Sequence, residues 1–284
     1  MTARTHLSTK TLLTALTLAL MLPGGVRPAL AQEAAAAQAP QAPAEPYVPQ
    51  EGQEGKDVVW VPTPQALVER MLDIANVSPD DYLIDLGSGD GRTVITAAKR
   101  GLRAHGIEYN PDMVALARRR AQEAGVAGRA TFEEADLFQT DLSKASVITM
   151  FLLPSINLEL RPTLLELKPG TRVVSNTFTM EMWEPDERST VEDDCTSWCT
   201  ALLWIVPAKA AGTWRVGDQT LTLTQEFQMV SGTLGDVEIT DGRLRGDVIR
   251  FTAGDRVYEG RVNGDTITGT SGGSTAFRAE RVTP

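Results

Sequence analysis

The chain has 284 residues, of which 42% are hydrophobic, 23% charged and 6% aromatic. That is the composition of a globular protein of one or two domains, and it excludes a collagen, a coiled coil or a wholly disordered chain. The formal net charge is −10, and the first 31 residues hold three of the 27 basic residues and none of the 37 acidic ones. The remainder is therefore more acidic still, a poor electrostatic match for phosphate backbones or anionic lipid, and no nucleic-acid partner is expected. With two histidines and two cysteines in all, a multi-histidine metal centre and a four-thiolate zinc cluster are excluded, and no metal site is expected.

Residues 1–31 have the pattern of a secretory signal peptide. Arg4 and Lys10 precede an apolar run from Thr11 to Leu22, and Ala29-Leu30-Ala31 supplies a small-x-small cleavage site before Gln32. Export, to a periplasm, is the expectation, with an uncleaved membrane anchor as the alternative; no other segment is apolar enough to span a bilayer. Residues 32–56 are rich in Ala, Pro, Gln and Glu without an apolar period and read as a disordered linker. Export would place Cys195 and Cys199 in an oxidising space. Four residues apart, they favour a small-loop structural disulfide over a redox pair, because the spacing is not Cys-x-x-Cys.

From residue 57 to 207 helices and strands alternate. Pro64–Ala75 carries Leu67, Met71, Leu72 and Ile74 at helical spacing, and Tyr82–Leu86 is a short apolar strand running into glycines. A helix from Gly91 to Lys99, a strand from Ala104 to Glu108 and a helix over Pro111–Ala124 with Asn110 as N-cap come next. Strands follow at 130–133 and 146–151, then a helix at 156–167 interrupted or restarted at Pro162, then strands at 171–178 and 201–206. This grammar predicts an α/β fold with a mainly parallel sheet covered on both faces. Beyond Pro207 the pattern changes to short alternating runs (LTLTQEF, VEIT, DVIRFTA, VYEGRVN, TITGT, FRAERV) punctuated by Gly, Asp and Asn. Residues 213–284 are therefore expected to form a small antiparallel β domain, a barrel or sandwich, serving as a partner-binding module or a stabilising cap.

The sharpest motif is Asp85-Leu86-Gly87-Ser88-Gly89-Asp90-Gly91, set between a strand and a helix. Glycines here let the chain turn and a ligand approach the backbone, and the next helix aims its positive end at that ligand. A dinucleotide fingerprint would require glycine where Arg92 stands. Asp85 would repel a pyrophosphate but attract an amino-acid ammonium. Glu108 closes the second strand, where an acid can accept hydrogen bonds from both ribose hydroxyls, and Asp136 after the third strand can accept from an exocyclic adenine amine. Three carboxylates at three strand ends thus predict a site for a nucleoside that carries an amino acid.

These residues, with Trp60-Val61-Pro62-Thr63-Pro64, Gly106-Ile107-Glu108, Asp136-Leu137-Phe138, Phe151-Leu152-Leu153-Pro154, Leu160-Arg161-Pro162, Leu167-Lys168-Pro169-Gly170 and Trp183-Glu184-Pro185, make about half the chain resemble class I S-adenosylmethionine-dependent methyltransferases. More narrowly, it resembles bacterial relatives of the lysine methyltransferases that modify the ATP synthase c-subunit. The resemblance implies a Rossmann-like, doubly wound, mainly parallel seven-strand sheet and S-adenosyl-L-methionine as cofactor. It assigns Asp85, Gly87, Ser88 and Gly89 to the methionine part, Glu108 to the ribose, Asp136 and the Leu137 amide to the adenine, and Thr63 to a segment closing over them. Phe151 to Pro154 would face the methyl group and acceptor, making Phe151, Pro154 and Asn157 the catalytic candidates, with a protein lysine as the implied acceptor. Amide- and base-nitrogen methyltransferases carry Asn or Asp followed by Pro-Pro-aromatic at that point, which Phe-Leu-Leu-Pro is not. His105 lies inside a strand pattern and is not expected to serve as a catalytic base. The alternative function is an exported, non-catalytic nucleoside-binding or scaffold protein that retains the fold.

Overall fold

A computed structural model describes residues 47–282. The expected signal peptide and the expected linker as far as residue 46 lie outside the described residues. Five strands are mutually parallel: β1 (Tyr82–Leu86), β2 (Arg103–Glu108), β3 (Ala130–Glu134), β4 (Val147–Met150) and β5 (Arg172–Asn176). The sheet is completed by β6 (Glu187–Thr190) and β7 (Thr200–Ile205), with β7 antiparallel to both β5 and β6, in the order β3-β2-β1-β4-β5-β7-β6. The chain reverses direction of growth between β1 and β4, which opens a crevice at their carboxyl ends.

Both faces are covered because every central strand is apolar on both sides. In β1, Leu83 faces α1 (Gln65–Ile74), α2 (Arg92–Lys99) and α3 (Pro111–Glu123), while Ile84 and Leu86 belong to the core beneath α4 (Pro154–Leu165). Asn110 caps α3 through its side-chain oxygen, which accepts from the N–H groups of Asp112 and Met113. The helix expected to break at Pro162 does not break: α4 runs through it and starts earlier, at Pro154. Pro162 is exposed, so the carbonyl it leaves unpaired is on the solvent side. Burial of Ile156, Leu160 and Leu164, at about 1.5–3 kcal/mol each, outweighs the ~3 kcal/mol cost of a proline in a helix. The short strand β6 (ERST) has no signal in the sequence: it lacks an apolar residue and exists as an edge because β7 offers it a partner.

The C-terminal segment forms a closed antiparallel barrel of eight strands: β8 (Gly212–Val216), β9 (Gln219–Glu226), β10 (Met229–Leu234), β11 (Val237–Arg245), β12 (Val248–Ala253), β13 (Arg256–Asn263), β14 (Thr266–Ser271) and β15 (Thr275–Arg281). Each strand pairs with the next, and β15 returns to β8 at Ala279↔Val216, so no edge is left open. Trp214, Leu221, Leu244, Ile249, Phe251 and Ile267 fill the interior, making it a packed core. Two strands, β8 and β10, fall outside the predicted runs; β10 has Gly232 at its centre and a register shift against β11.

The barrel is fastened to the α/β part through residues 183–186. Trp183 is fully buried and stacks on Phe227 at 6.1 Å. The Glu184 carbonyl accepts from Gln228 Nε2 at 2.7 Å. Asp186 accepts from the Ile205 N–H in β7 and from Arg243 in β11 at 2.8 and 2.7 Å. Among the described residues no helix is long and apolar enough to cross a membrane.

Candidate active site

The carboxyl ends of β1 to β4 surround one cleft enclosing about 1080 Å3 of empty space up to its open mouth. Its floor is the loop after β1. Gly87, Gly89 and Gly91 have φ of 73°, 51° and 81°, the left-handed region that disfavours any side chain. At Gly89 a Cβ would also lie 2.5 Å from the Trp60 indole nitrogen. Ser88 is buried and its Oγ has no hydrogen-bond partner among the described residues, an orphaned polar atom at the base of the cleft.

Asp85 is 5% exposed, and among the described residues the one hydrogen bond to its carboxyl comes from Thr149 Oγ1 at 2.6 Å. Burial pushes its pKa up to about 7; the Thr149 bond opposes this, and the negative charges of Glu108 and Asp90 add to it. A buried carboxyl this short of cationic partners is suited to a ligand that brings a positive charge. Asp90 has the opposite fate. Burial raises its pKa, but Arg92, bonded at 3.0 and 2.7 Å, and Arg120 together pull it below the ordinary value. Arg92 also donates to the Thr63 carbonyl at 2.8 Å, so the Asp90–Arg92 pair ties the segment before α1 to the glycine loop.

Glu108, at the end of β2, accepts from the Gly89 N–H at 2.8 Å and the Asn110 N–H at 3.0 Å, one bond on each oxygen. A carboxylate has about four acceptor positions, so both oxygens keep capacity for a diol. Asp136 caps a short 3-10 turn, Leu137–Gln139, by accepting from the Phe138 N–H, while the Leu137 N–H has no acceptor among the described residues. The other Asp136 oxygen accepts from Lys56 Nζ at 2.8 Å. This bond, with that from Phe138, lowers the Asp136 pKa, and Lys56 also lies 4.9 Å from the Tyr109 ring centroid.

All eight residues expected to hold the cofactor, Thr63, Asp85, Gly87, Ser88, Gly89, Glu108, Asp136 and Leu137, line this cleft. Of the catalytic candidates, Phe151 lines it and Pro154 and Asn157 do not. Pro154 is the exposed first residue of α4. Asn157 is wholly buried, and its amide donates to the Phe178 and Thr179 carbonyls at 3.2 and 3.3 Å, which makes it a brace for the loop after β5. His105 is held on β2 by Thr131 and Glu133, outside the cleft. The linker expected through Lys56 is ordered before that point. Gly52 and Gln53 pair with Trp60 through backbone hydrogen bonds of 2.8 and 2.9 Å, and residues 53–63 form a wall of the cleft. Lys56, Tyr109 and Thr149 are the site residues that sequence reasoning passed over, and of these only Tyr109, next to the acid that ends β2, carried a local signal; Trp60 and Asp90 stood in the quoted motifs with no role assigned to them.

A doubly wound sheet of this order, with a glycine loop and successive acids at the ends of β1, β2 and β3, defines a class I S-adenosylmethionine-dependent methyltransferase. A family model described as the ANTKMT methyltransferase domain matches residues 85–187. A protein-lysine N-methyltransferase of Saccharolobus islandicus is 49% identical over 139 residues, covering 48% of this chain and 86% of that one. The chain belongs to this family of methyltransferases. It is also 43% identical over 117 residues to the mouse ATP synthase C-subunit lysine N-methyltransferase, of which it spans about half, 47%. A crystal structure described as an RNA methyltransferase from Salinibacter ruber with S-adenosyl-L-homocysteine is 50% identical, covers 52% of this chain and 95% of that one, and superposes with a TM-score of 0.49. As a member of this family the protein is an enzyme whose cofactor is S-adenosylmethionine, and the comparisons lend nothing to the non-catalytic alternative.

Proposed function

We propose that the enzyme methylates the side-chain amine of a lysine in a protein, and that it does so after export. The observation that carries the cofactor half of this reading is the set of groups in the cleft with capacity left over among the described residues: the Asp85 carboxyl, which lacks a cationic partner, the orphaned Ser88 Oγ and the unpaired Leu137 N–H. They suit an α-ammonium, a carboxylate or hydroxyl, and an adenine nitrogen. Glu108 has free capacity for the ribose hydroxyls, and Asp136 for the exocyclic amine once Lys56 gives up its place. Thr63 closes the same cleft, held by Arg92. When bound, the cofactor supplies an electrophilic methyl group on a sulfonium.

The protein's own task is then alignment and exclusion of water. A lysine ammonium, of reference pKa about 10.4, must lose its proton before its nitrogen can attack. Phe151 and Leu152, which follow β4 and line the cleft, offer a low-dielectric wall that favours the neutral amine. Leu153, expected beside them, is 42% exposed and does not line the cleft. The lysine acceptors of the archaeal and mouse relatives support a lysine here, and the acidic surface favours a cationic partner over RNA. The Cys195–Cys199 disulfide supports an oxidising compartment.

The test is methyl transfer from labelled S-adenosylmethionine to two separate acceptor pools, exported proteins and total RNA, with Asp85→Asn as the control. Label recovered as ε-N-methyllysine after hydrolysis is the expected result. Label confined to RNA, or none above the control, overturns the proposal.

A further inference from the structure

Three aromatic side chains meet beside the cofactor cleft, and cofactor binding accounts for none of their contacts. Phe151 leaves β4 and lines the cleft. Phe178, just past β5, stacks on it with ring centroids 5.8 Å apart and planes 17° from parallel. Trp198, from the connection between β6 and β7, packs on Phe151 at 5.9 Å, tilted by 57°. Trp198 is nonetheless 42% exposed. Its backbone has φ of 54°, where a bulky residue is an outlier that persists only if its surroundings hold it. The Cys195–Cys199 bridge provides that hold, with the Val191 N–H donating to the Cys199 carbonyl at 2.9 Å across the base of the loop. A bridge needed only to close the connection would not require a half-exposed tryptophan leaning on a ring of the cleft. Immediately before the bridge come Glu192, Asp193 and Asp194, all exposed, and the stretch from Val191 to Cys199 contains no lysine or arginine.

We infer that Phe151, Phe178 and Trp198 form the subsite that first captures the acceptor's alkyl-ammonium group, ahead of its deprotonation in the cleft, with the disulfide loop fixing Trp198 as its outer wall. The inference rests on the reading of the acceptor as a lysine amine. Aromatic faces attract a cation through the ring quadrupole, and they tolerate N-methyl groups that deprive a carboxylate of hydrogen-bond donors. The three acids act over longer range, raising the local concentration of a cationic side chain. Trp198 is thus a specificity-determining residue, since a neutral acceptor of the same shape gains neither effect.

The experiment follows the indole N–H resonance of Trp198 in the 15N-labelled full chain saturated with S-adenosylhomocysteine, assigned by its loss in Trp198→Phe. The probes are Nα-acetyl-ε-N-trimethyllysine methylamide and its uncharged isostere, in which tert-butyl replaces trimethylammonium. The charged probe is expected to shift the Trp198 signal and to bind about fivefold or more tightly than the isostere. Cys195→Ser/Cys199→Ser, with S-adenosylhomocysteine affinity unchanged as the folding control, is expected to weaken probe binding by a similar factor. An unmoved Trp198 signal, or equal binding of the two probes, overturns the subsite; full binding by the variant without the bridge overturns the loop's part in it. Methyllysine formed in the transfer assay without a Trp198 response would sink this inference alone. Label found only in another kind of acceptor would sink the lysine reading first.

Discussion

Replacing Asp85 by asparagine separates what this carboxyl costs the fold from what it contributes to the site. Its pKa is raised from the ordinary 3.8 to about 7 by burial. The native state therefore holds the proton more tightly than the unfolded chain. The associated stabilisation is complete below about pH 4 and is lost as the pH rises through 7. With those two values the native state loses about 2–3 kcal/mol between pH 5 and pH 8 through this group alone. Asparagine keeps an acceptor for Thr149 Oγ1 and does not titrate. Denaturant unfolding of both proteins at the two pH values, without cofactor, should show the variant gaining about 2–3 kcal/mol relative to the parent on going from pH 5 to pH 8. This difference of differences cancels whatever the amide costs at fixed pH. The cofactor reverses the comparison: its ammonium favours the ionised form, so parent affinity should fall as the pH drops below 7, with proton release on binding, and the variant should bind far more weakly at pH 8. Stability curves that run parallel from pH 5 to pH 8 would refute the account of Asp85 as a buried carboxyl waiting for a cation.

The other expectations concern the walls of the cleft and the second domain. Lys56→Ala removes the ammonium that, on the proposed reading of the cleft, the adenine amine displaces from Asp136, and should tighten S-adenosylhomocysteine binding by about two- to fivefold in calorimetry, less at high salt. Arg92→Met leaves Asp90 with Arg120 alone and frees the Thr63 carbonyl; it should lower stability by about 1–3 kcal/mol in urea unfolding and weaken cofactor binding as well. Trp183→Ala empties the joint between sheet and barrel; a loss of about 3–5 kcal/mol is expected, and fluorescence and circular dichroism, coincident in the parent, should report separate unfolding midpoints.

Much of the fold is written in local signals. Short apolar runs of β1, β4, β5 and β7 read as buried strands because both their faces are covered. Asn110 reads as a cap because its side chain needs only the two N–H groups that follow it. The loop from Asp85 to Gly91 is legible because glycine is the residue that tolerates positive φ. The acids Glu108 and Asp136 follow from their places at strand ends, since those ends converge in any sheet of this winding. Other features depend on partners far away in sequence. Pro162 marks a break on local grounds and is overridden by three leucine and isoleucine side chains buried on the sheet. The strand β6 has no apolar pattern and forms only because β7 presents an unpaired edge. Asn157 looks like a polar group near the chemistry, yet its amide is claimed by carbonyls more than twenty residues away. Lys56 reads as the end of a tether until folding brings Asp136 beneath it. Sequence alone determined the class of fold, the cofactor and most of the residues that meet in the cleft, because those rest on backbone conformation and strand order. Tertiary structure decided which polar groups are left unsatisfied, that Asp85 titrates near neutrality, and that a disulfide loop carries Trp198 to Phe151, because burial and contact depend on distances that no local spacing encodes.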